Sequence, residues 1–313
     1  SNAARERQMR SHVLSAAEAK AMTPGSTGNW IGGIHSPTDG RAEPALAVPA
    51  IAQGARRLGV TLHQECAARG LETSAGRVSG VATEKGTIRT STVLVAGGVW
   101  TSMFCRHHGI DLPLAGVRST SFFTAPAPQI TEGGISTPDV TFRRRLDGGY
   151  TIGISGRGLL ELTPQGLMYA RPFWRSFKKR YKLLTIRAGR SFFDGPEAWL
   201  RWSNDSVSPF ERMRTYDPPA QEKLVSFALK RIGEIYPELA NIKIMHKYGG
   251  LIDFTPDWLP VISAIDKLPG LHVSAGFSGH GFGIGPGAGR LSSIRAPSAT
   301  AVWSTGRIWA SRG

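Results

Sequence analysis

The chain has 313 residues, 41 % of them hydrophobic and 19 % charged, which suits a globular protein of two domains or one large one and excludes wholesale disorder. Lys and Arg outnumber Asp and Glu by 38 to 23, for a formal net charge of +15. No apolar run approaches the ~20 residues that a membrane-spanning helix requires, and the two cysteines, Cys66 and Cys105, are too few for a disulfide framework and fit a reducing, cytoplasmic setting.

Ser1-Asn2-Ala3 resembles a tag remnant, and the charged stretch Arg5 to Arg10 has no apolar core of a signal peptide. Val13 to Met22 is patterned as a short helix. Asp39-Gly40-Arg41 forms a turn, and Glu43-Pro44 places proline where a helix begins. Leu46, Ile51, Ala55 and Leu58 then recur at helical spacing until Gly59 closes the helix, and a strand is expected over Val60 to Gln64. Three β-patterned runs follow, Ala67 to Thr73, Arg77 to Thr83 and Thr87 to Thr90, separated by Ser74-Ala75-Gly76 and Lys85-Gly86. The continuous apolar run Thr92 to Ala96 is the kind buried in a parallel sheet. Gly97-Gly98 breaks it, and Trp100-Thr101-Ser102 opens a helix. A helix, a strand, a small meander and a return strand make part of an α/β nucleotide-binding layer.

From Pro113 to about Lys267 the style changes to an α+β domain. Short runs at Val117 to Thr124, Thr141 to Arg145 and Tyr150 to Ile154 alternate with turns, and Asp147-Gly148-Gly149 makes the last two a hairpin. On its first strand Arg143 and Arg145 share one face, opposite Arg144. Residues 162–193 contain no acid and eight cations, with Phe173, Phe177 and Tyr181 at i, i+4, i+8. The simplest expectation is a helix that packs those aromatics inward and keeps its basic face in water. The alternatives are a docking surface for an acidic electron-acceptor partner or a membrane interface, with a nucleic-acid patch last because no nucleic-acid module accompanies it. A helix from Pro219 to Ile235 presents Leu224, Phe227, Ala228 and Ile232 on one face.

The chain then returns to a strand, Leu271 to Ala275, and to Gly276-Phe277-Ser278-Gly279-His280-Gly281-Phe282-Gly283-Ile284-Gly285-Pro286-Gly287-Ala288-Gly289, with a helix expected from about Ala288. Every second residue from Gly279 to Gly289 is glycine, which lets main-chain N–H donors approach a flat or anionic group. A glycine loop that merely turns a corner is the plainer alternative. Gly283-x-Gly285-x-x-Ala288 nearly matches a dinucleotide fingerprint, but no acid occurs after Asp266, so it is not a free-standing Rossmann site.

That glycine run, preceded by Gly249-Gly250-Leu251-Ile252-Asp253-Phe254-Thr255-Pro256-Asp257-Trp258-Leu259-Pro260-Val261-Ile262, resembles the C-terminal signature of the FAD-dependent amine and amino-acid oxidoreductases, the D-amino-acid oxidase-like superfamily that includes glycine oxidase, sarcosine oxidase and D-amino-acid dehydrogenase. Gly32-Gly33-Ile34, the Pro37 to Pro44 segment, Gly59-Val60, the run from Val93 to Trp100, and the Arg143 to Tyr150 hairpin are similar in the same order, so the resemblance spans roughly residues 11–291. It implies an α/β plus α+β fold: an incomplete FAD-binding Rossmann-like layer from residues 4–112 and 268–313, with an inserted antiparallel substrate domain over 113–267. It implies non-covalent FAD, because Gly249-Gly250-Leu251 stands where some relatives attach flavin to cysteine. Gly279, His280, Gly281, Phe282, Gly283 and Ile284 would contact the flavin ring, Ala67 and Ala68 the adenine, and Ala96, Gly97 and Trp100 the adenosine–pyrophosphate part.

The family opens with a strand, a GxGxxG turn, a helix and an acid, and these 313 residues contain no such unit. The expectation is an N-terminally truncated member, natural or cloned, that binds FAD weakly or not at all, or a chain completed by a companion subunit. After Leu291, Ser292-Ser293-Ile294-Arg295-Ala296-Pro297 departs from the usual terminal helix. Ile252 stands where glycine oxidase-like members carry a carboxylate-binding arginine, and Gly283 where sarcosine oxidase-like members carry a lysine. His35, Arg143 and Arg145 are then the substrate-contact candidates, with solvent-exposed arginines on a hairpin the plainer alternative. His280 suits flavin contact better than general base, and no residue is assigned to catalysis. Asp253 and Asp257 are expected to form turns, since Thr255-Pro256 excludes a helix there, and no HxxxH, CxxC or acid cluster suggests a metal. The expected partner is a small amine or amino acid, oxidised at its C–N bond by hydride transfer to flavin, with electrons passing to oxygen or an acceptor. A non-catalytic fragment or subunit, and a basic binding module, are the alternatives.

Overall fold

The computed structural model describes residues 10–295 and 300–302. A small ribbon comes first: β1 (His12–Leu14) pairs antiparallel with β2 (Gly33–His35). Between them lies α1 (Ala16–Ala21), closed by a Ser15–Glu18 capping box. The expected helix from Val13 is thus a strand followed by a shorter helix. α2 (Pro44–Arg57) starts at its proline as expected, yet none of its residues is buried. Val60 to Gln64 forms no strand. A lone extended run has unpaired N–H and C=O groups, and no described strand lies beside this one to satisfy them.

The meander β3 (Ala68–Ser74), β4 (Arg77–Thr83), β5 (Gly86–Arg89) is antiparallel throughout. β6 (Val93–Val95) runs parallel to β15 (Leu271–Ala275) on one side and to β16 (Thr300–Val302) on the other, and β14 (Val261–Ala264) pairs antiparallel with β15. α3 (Trp100–His107) follows β6 at once. Val93, Val95, Leu271, Val273 and Ala275 from these strands share one core with Leu71, Val78 and Val81 of the meander and with Phe104 and Cys105 of α3.

The large sheet is built on β7 (Ala115–Thr124). β13 (Ile244–Phe254) pairs antiparallel along its whole length. On the other side of β7 lie β10 (Tyr150–Ile154) and β11 (Gly158–Leu162), continued outward by β9 (Val140–Arg144), β8 (Gly134–Ser136) and β12 (Leu184–Ala188). The Arg143 hairpin forms as expected, with Thr151 opposite Arg143. Burial alternates strictly along β7: Gly116, Arg118, Thr120, Phe122 and Thr124 are buried, and the intervening residues are not. The buried face meets α7 (Glu222–Ile235), which follows the one-turn α6 (Pro209–Arg212) and whose inner stripe is Val225, Ala228, Ile232 and Ile235. Leu224 and Phe227, expected on that stripe, are half-buried at its margins, and Phe227 lies under the Arg157 guanidinium.

Two further expectations change. The glycine run is helical much earlier than Ala288: α8 spans Gly281–Arg295, past the point where the sequence suggested departure, and residues 296–299 lie outside the described ones. The basic segment folds as α4 (Pro164–Met168) and α5 (Ala170–Arg180), but α5 buries no residue. Of the segment's aromatics, Phe173 and Phe177 are half-buried, whereas Trp174 and Tyr181 lie exposed, because the helix is seated along one edge (below). Cys66 and Cys105 are both free thiols, and among the described residues no helix is long and apolar enough to cross a membrane.

Candidate functional site

β6 and β15 are parallel neighbours, and both end in glycine turns. A crevice beyond the carboxyl ends of parallel strands is where α/β sheets hold ligands. After β6 come Ala96, Gly97 and Gly98, the last at φ +54 with open space where a Cβ would be. Trp100 begins α3 buried, edge-on to Phe210 at 5.7 Å. After β15, Gly276 at φ +74, Ser278 at +52 and Gly279 at +87 form a left-handed turn. Only glycine fits at Gly276, where a Cβ would come within 2.4 Å of the Thr255 side chain.

Asp253 holds this turn. Its Oδ2 accepts from the Gly276 N–H at 2.7 Å, and its carbonyl accepts from the Ser278 N–H at 3.0 Å. Burial pushes its carboxyl above the usual aspartate value. Asp253 therefore lies in β13 as a clamp, not in a turn as expected, whereas Asp257 does form one, accepting from the Leu259 N–H at 3.1 Å. The clamp sets Gly279 against Ile252 of β13, 3.6 Å from where a Cβ would stand. Beyond it Gly279, His280, Phe282, Gly283 and Ile284 are exposed, with Gly281 half-buried. Gly283, Gly285, Gly287 and Gly289 would meet nothing within 4 Å. The first-turn N–H groups of α8 have no partner within the helix and carry its positive end. This glycine surface fits the ring end of a flavin: flat, open, and lined with main-chain donors. The other proposed contacts differ in access. Ala96 and Ala68 are half-buried. The Ala67 main chain is closed on itself, since its N–H donates to Glu84 at 2.5 Å and its carbonyl accepts from the Glu84 N–H at 3.1 Å.

Facing Ile252 along the sheet is the unburied side of β7, β13 and β9. Tyr248 is in register with Ser121, and Arg143 projects from the same side. Arg143 forms a two-pronged pair with Glu43 at 2.8 and 3.2 Å. Arg145 pairs with Asp147 at 2.8 Å and lies 4.5 Å over the Phe123 ring. Burial pushes the Tyr248 phenol above its usual value, against the opposing pull of Ser121, Arg143 and Arg145. It is a neutral donor beside two arginines whose charges Glu43 and Asp147 balance. His35 lies elsewhere, edge-on to His12 at 5.1 Å in the small ribbon, with no hydrogen bond or ring contact to this corner among the described residues. Sequence reasoning missed Glu43, Tyr248 and Asp253. Strand alternation back from Ile252 puts Tyr248 on the same face, which was the available signal. Nothing local marks Glu43, which sits 100 residues from its partner. Among the described residues no group of His, Cys, Asp and Glu is placed to hold a metal ion.

Comparison with known proteins bears on this geometry. Residues 1–293 match the family described as FAD dependent oxidoreductase. Human mitochondrial sarcosine dehydrogenase is 26 % identical over 287 residues, covering 90 % of this chain and 27 % of the human protein. A D-amino acid dehydrogenase from Sinorhizobium medicae is 32 % identical over 170 residues, 47 % of this chain and 41 % of that protein. The L-amino acid deaminase of Proteus myxofaciens, solved in complex with anthranilate, superposes with a TM-score of 0.87 at 25 % identity, covering 96 % of this chain and 68 % of that one. The chain thus spans about a quarter of the length of the sarcosine dehydrogenases it matches. With a mixed α/β architecture of several sheets, a glycine turn at the ends of parallel strands and a match over nearly its whole length, the chain belongs to the FAD dependent oxidoreductase family.

Proposed function

We propose that this chain contributes the flavin-ring and substrate surfaces of an enzyme that oxidises the C–N bond of an amino acid or secondary amine. The observation that carries the reading is the open glycine turn from Gly279 to Ile284 seated against Ile252, on the side of the sheet that also carries the corner of Arg143 and Tyr248. The segments 4–112 and 268–313 would hold FAD non-covalently, and 113–267 would shape the pocket; the presence of two cores supports a two-part division, with Leu114, Phe210 and β14 joining the first. When bound, FAD supplies the two-electron acceptor. The substrate gives up a hydride from the carbon bearing nitrogen and a proton from nitrogen, and water hydrolyses the resulting imine to a carbonyl compound and ammonia or an amine.

The residues of this chain do the positioning. Arg143 and Arg145 attract the substrate carboxylate, and the neutral Tyr248 O–H donates to it. Glu43 holds the Arg143 fork in one orientation. Ile252 and Phe123 give the site an apolar wall. N–H groups at the start of α8 stabilise the negative charge that builds on a flavin as it is reduced. The two free thiols suit a reducing, cytoplasmic setting.

Anthranilate, the aromatic carboxylate in the P. myxofaciens complex, is a suitable probe. Calorimetric titration is expected to show binding that Arg143→Met weakens by about tenfold, a charge-assisted hydrogen bond's worth. Equal binding by parent and variant would remove Arg143 from the site. A second reading, in which the chain is one part of an oxidoreductase completed by another segment or subunit, is favoured by α2, whose Leu46 and Ile51 are 60 % and 64 % exposed.

A further inference from the structure

Helix α5 carries an apolar arc and a basic arc side by side, and the site described above uses neither. At about 100° per residue, Ala170, Phe173, Trp174, Phe177 and the adjoining Tyr181 fall on one side, and Arg171, Lys178, Arg175 and Lys179 on the next. In a surface helix of a globular protein the apolar arc faces the core. Here Trp174 is 53 % exposed and Tyr181 48 %.

The seating of the helix explains this. The Ser176 hydroxyl donates to the Pro256 carbonyl at 2.7 Å, and the Arg180 guanidinium lies 4.1 Å over the Trp258 ring. These contacts fasten the edge of α5 remote from the basic arc to the turn after β13. In the aromatic ladder, Trp174 against Phe177 and Phe177 against Tyr181, the middle ring is half-buried and the two outer rings are left exposed beside the cations. The Lys178 ammonium sits 5.1 Å over the Trp174 ring. Arg187 is paired with Glu161, but Arg171, Arg175, Lys179, Lys182 and Arg190 form no ion pair among the described residues. Exposed apolar side chains continue at Leu183, Ile186 and Phe193.

Uncompensated cations interleaved with exposed aromatic rings match a layer that is anionic at its surface and apolar just beneath. Lys and Arg reach the headgroups, and Trp and Tyr rings settle at the boundary. A polynucleotide would use the cations and leave Leu183, Ile186 and Phe193 in water; a bilayer takes both. We propose that α5 and the chain that follows it to Phe193 are a peripheral docking surface for a bilayer rich in anionic phospholipid. At 11 residues α5 lies in the interface plane rather than crossing it.

The test is co-sedimentation of the full chain with vesicles of phosphatidylcholine alone or with about one-third phosphatidylglycerol. Binding is expected to the anionic vesicles only, and to fall as salt rises. Lys178→Glu with Lys179→Glu, and separately Trp174→Ala with Tyr181→Ala, are each expected to cut the partition by about tenfold. Arg56→Glu with Arg57→Glu, the same charge change on α2, is expected to leave it within about twofold. Three results would each overturn the proposal: equal loss with both charge reversals, which makes net charge the cause; parent-like binding without the two rings; or tighter retention by random duplex DNA at the same salt. Melting curves control for folding. Should a variant melt early, the parent decides, since equal binding to neutral and anionic vesicles would also overturn the docking surface.

Discussion

Glu197, buried, and His108, half-buried, are ionisable groups that pull the pH dependence of the fold in opposite directions. Glu197 lies under β7, where its carboxylate accepts from the Gly116 N–H at 2.5 Å and from the Thr163 hydroxyl at 3.1 Å. Burial outweighs those donors and pushes its pKa up to about 7. The folded state therefore holds a proton that the unfolded chain releases near the ordinary value, so stability falls as pH rises from about 4.5 to about 7. Glu197→Gln is expected to flatten that limb and to raise stability at pH 8, by up to about 3 kcal/mol, in urea unfolding; an unchanged profile would remove Glu197 as its source. His108 works the other way. Its Nε2 accepts from the Leu71 N–H at 3.0 Å, and burial lowers its pKa to about 4. Stability from this group is present above about 6.5 and is lost as pH falls toward about 4. His108→Gln is expected to lessen acid sensitivity in that window, measured by melting temperature against pH. Neither residue is marked in the sequence, because each owes its shift to burial by distant segments.

At the level of elements, α2 is fastened by one visible device. Glu43, just before its first turn, grips Arg143 of β9, and the helix buries nothing of its own. Limited trypsin digestion is expected to cut first at Arg41, Arg56 or Arg57, and Glu43→Gln to speed that cut severalfold. Equal rates would mean that other contacts hold the helix. Gly276→Ala is expected to cost about 2–4 kcal/mol, since it adds a left-handed penalty to a clash with Thr255; a loss below about 0.5 kcal/mol would contradict the turn geometry. Elements with local signals were legible. The Pro44 helix start, the Asp147-Gly148-Gly149 hairpin and the apolar run from Val93 to Val95 carry their own turn chemistry or periodicity. Val60 to Gln64 has the pattern of a strand and lacks a neighbour to pair with, and pairing is not encoded locally. The helix from Gly281 was hidden by its glycines, which disfavour the helical state on propensity alone. The outward face of α5 was hidden because the i, i+4 pattern says which residues align, not what they meet.

Across the whole molecule, one core lies under the parallel strands and another under the large sheet, and the glycine turn packs against Ile252 on the face of β13 that also carries Tyr248. The open glycine turn was legible, because glycine spacing after a buried strand constrains the main chain directly. The arginine corner was legible only in part. Arg143 and Arg145 stood out by alternation, whereas Tyr248, Glu43 and the Asp253 clamp join through strands far apart in sequence. The central claim is that the segment from Gly279 to Ile284 lies against a flavin ring. Hydrogen exchange of the main-chain amides, measured with and without saturating FAD, tests it most directly. Slowed exchange at residues 279–284, with a matching effect in the turn after Val95, is the expected result. FAD bound with exchange at 279–284 unchanged would contradict it.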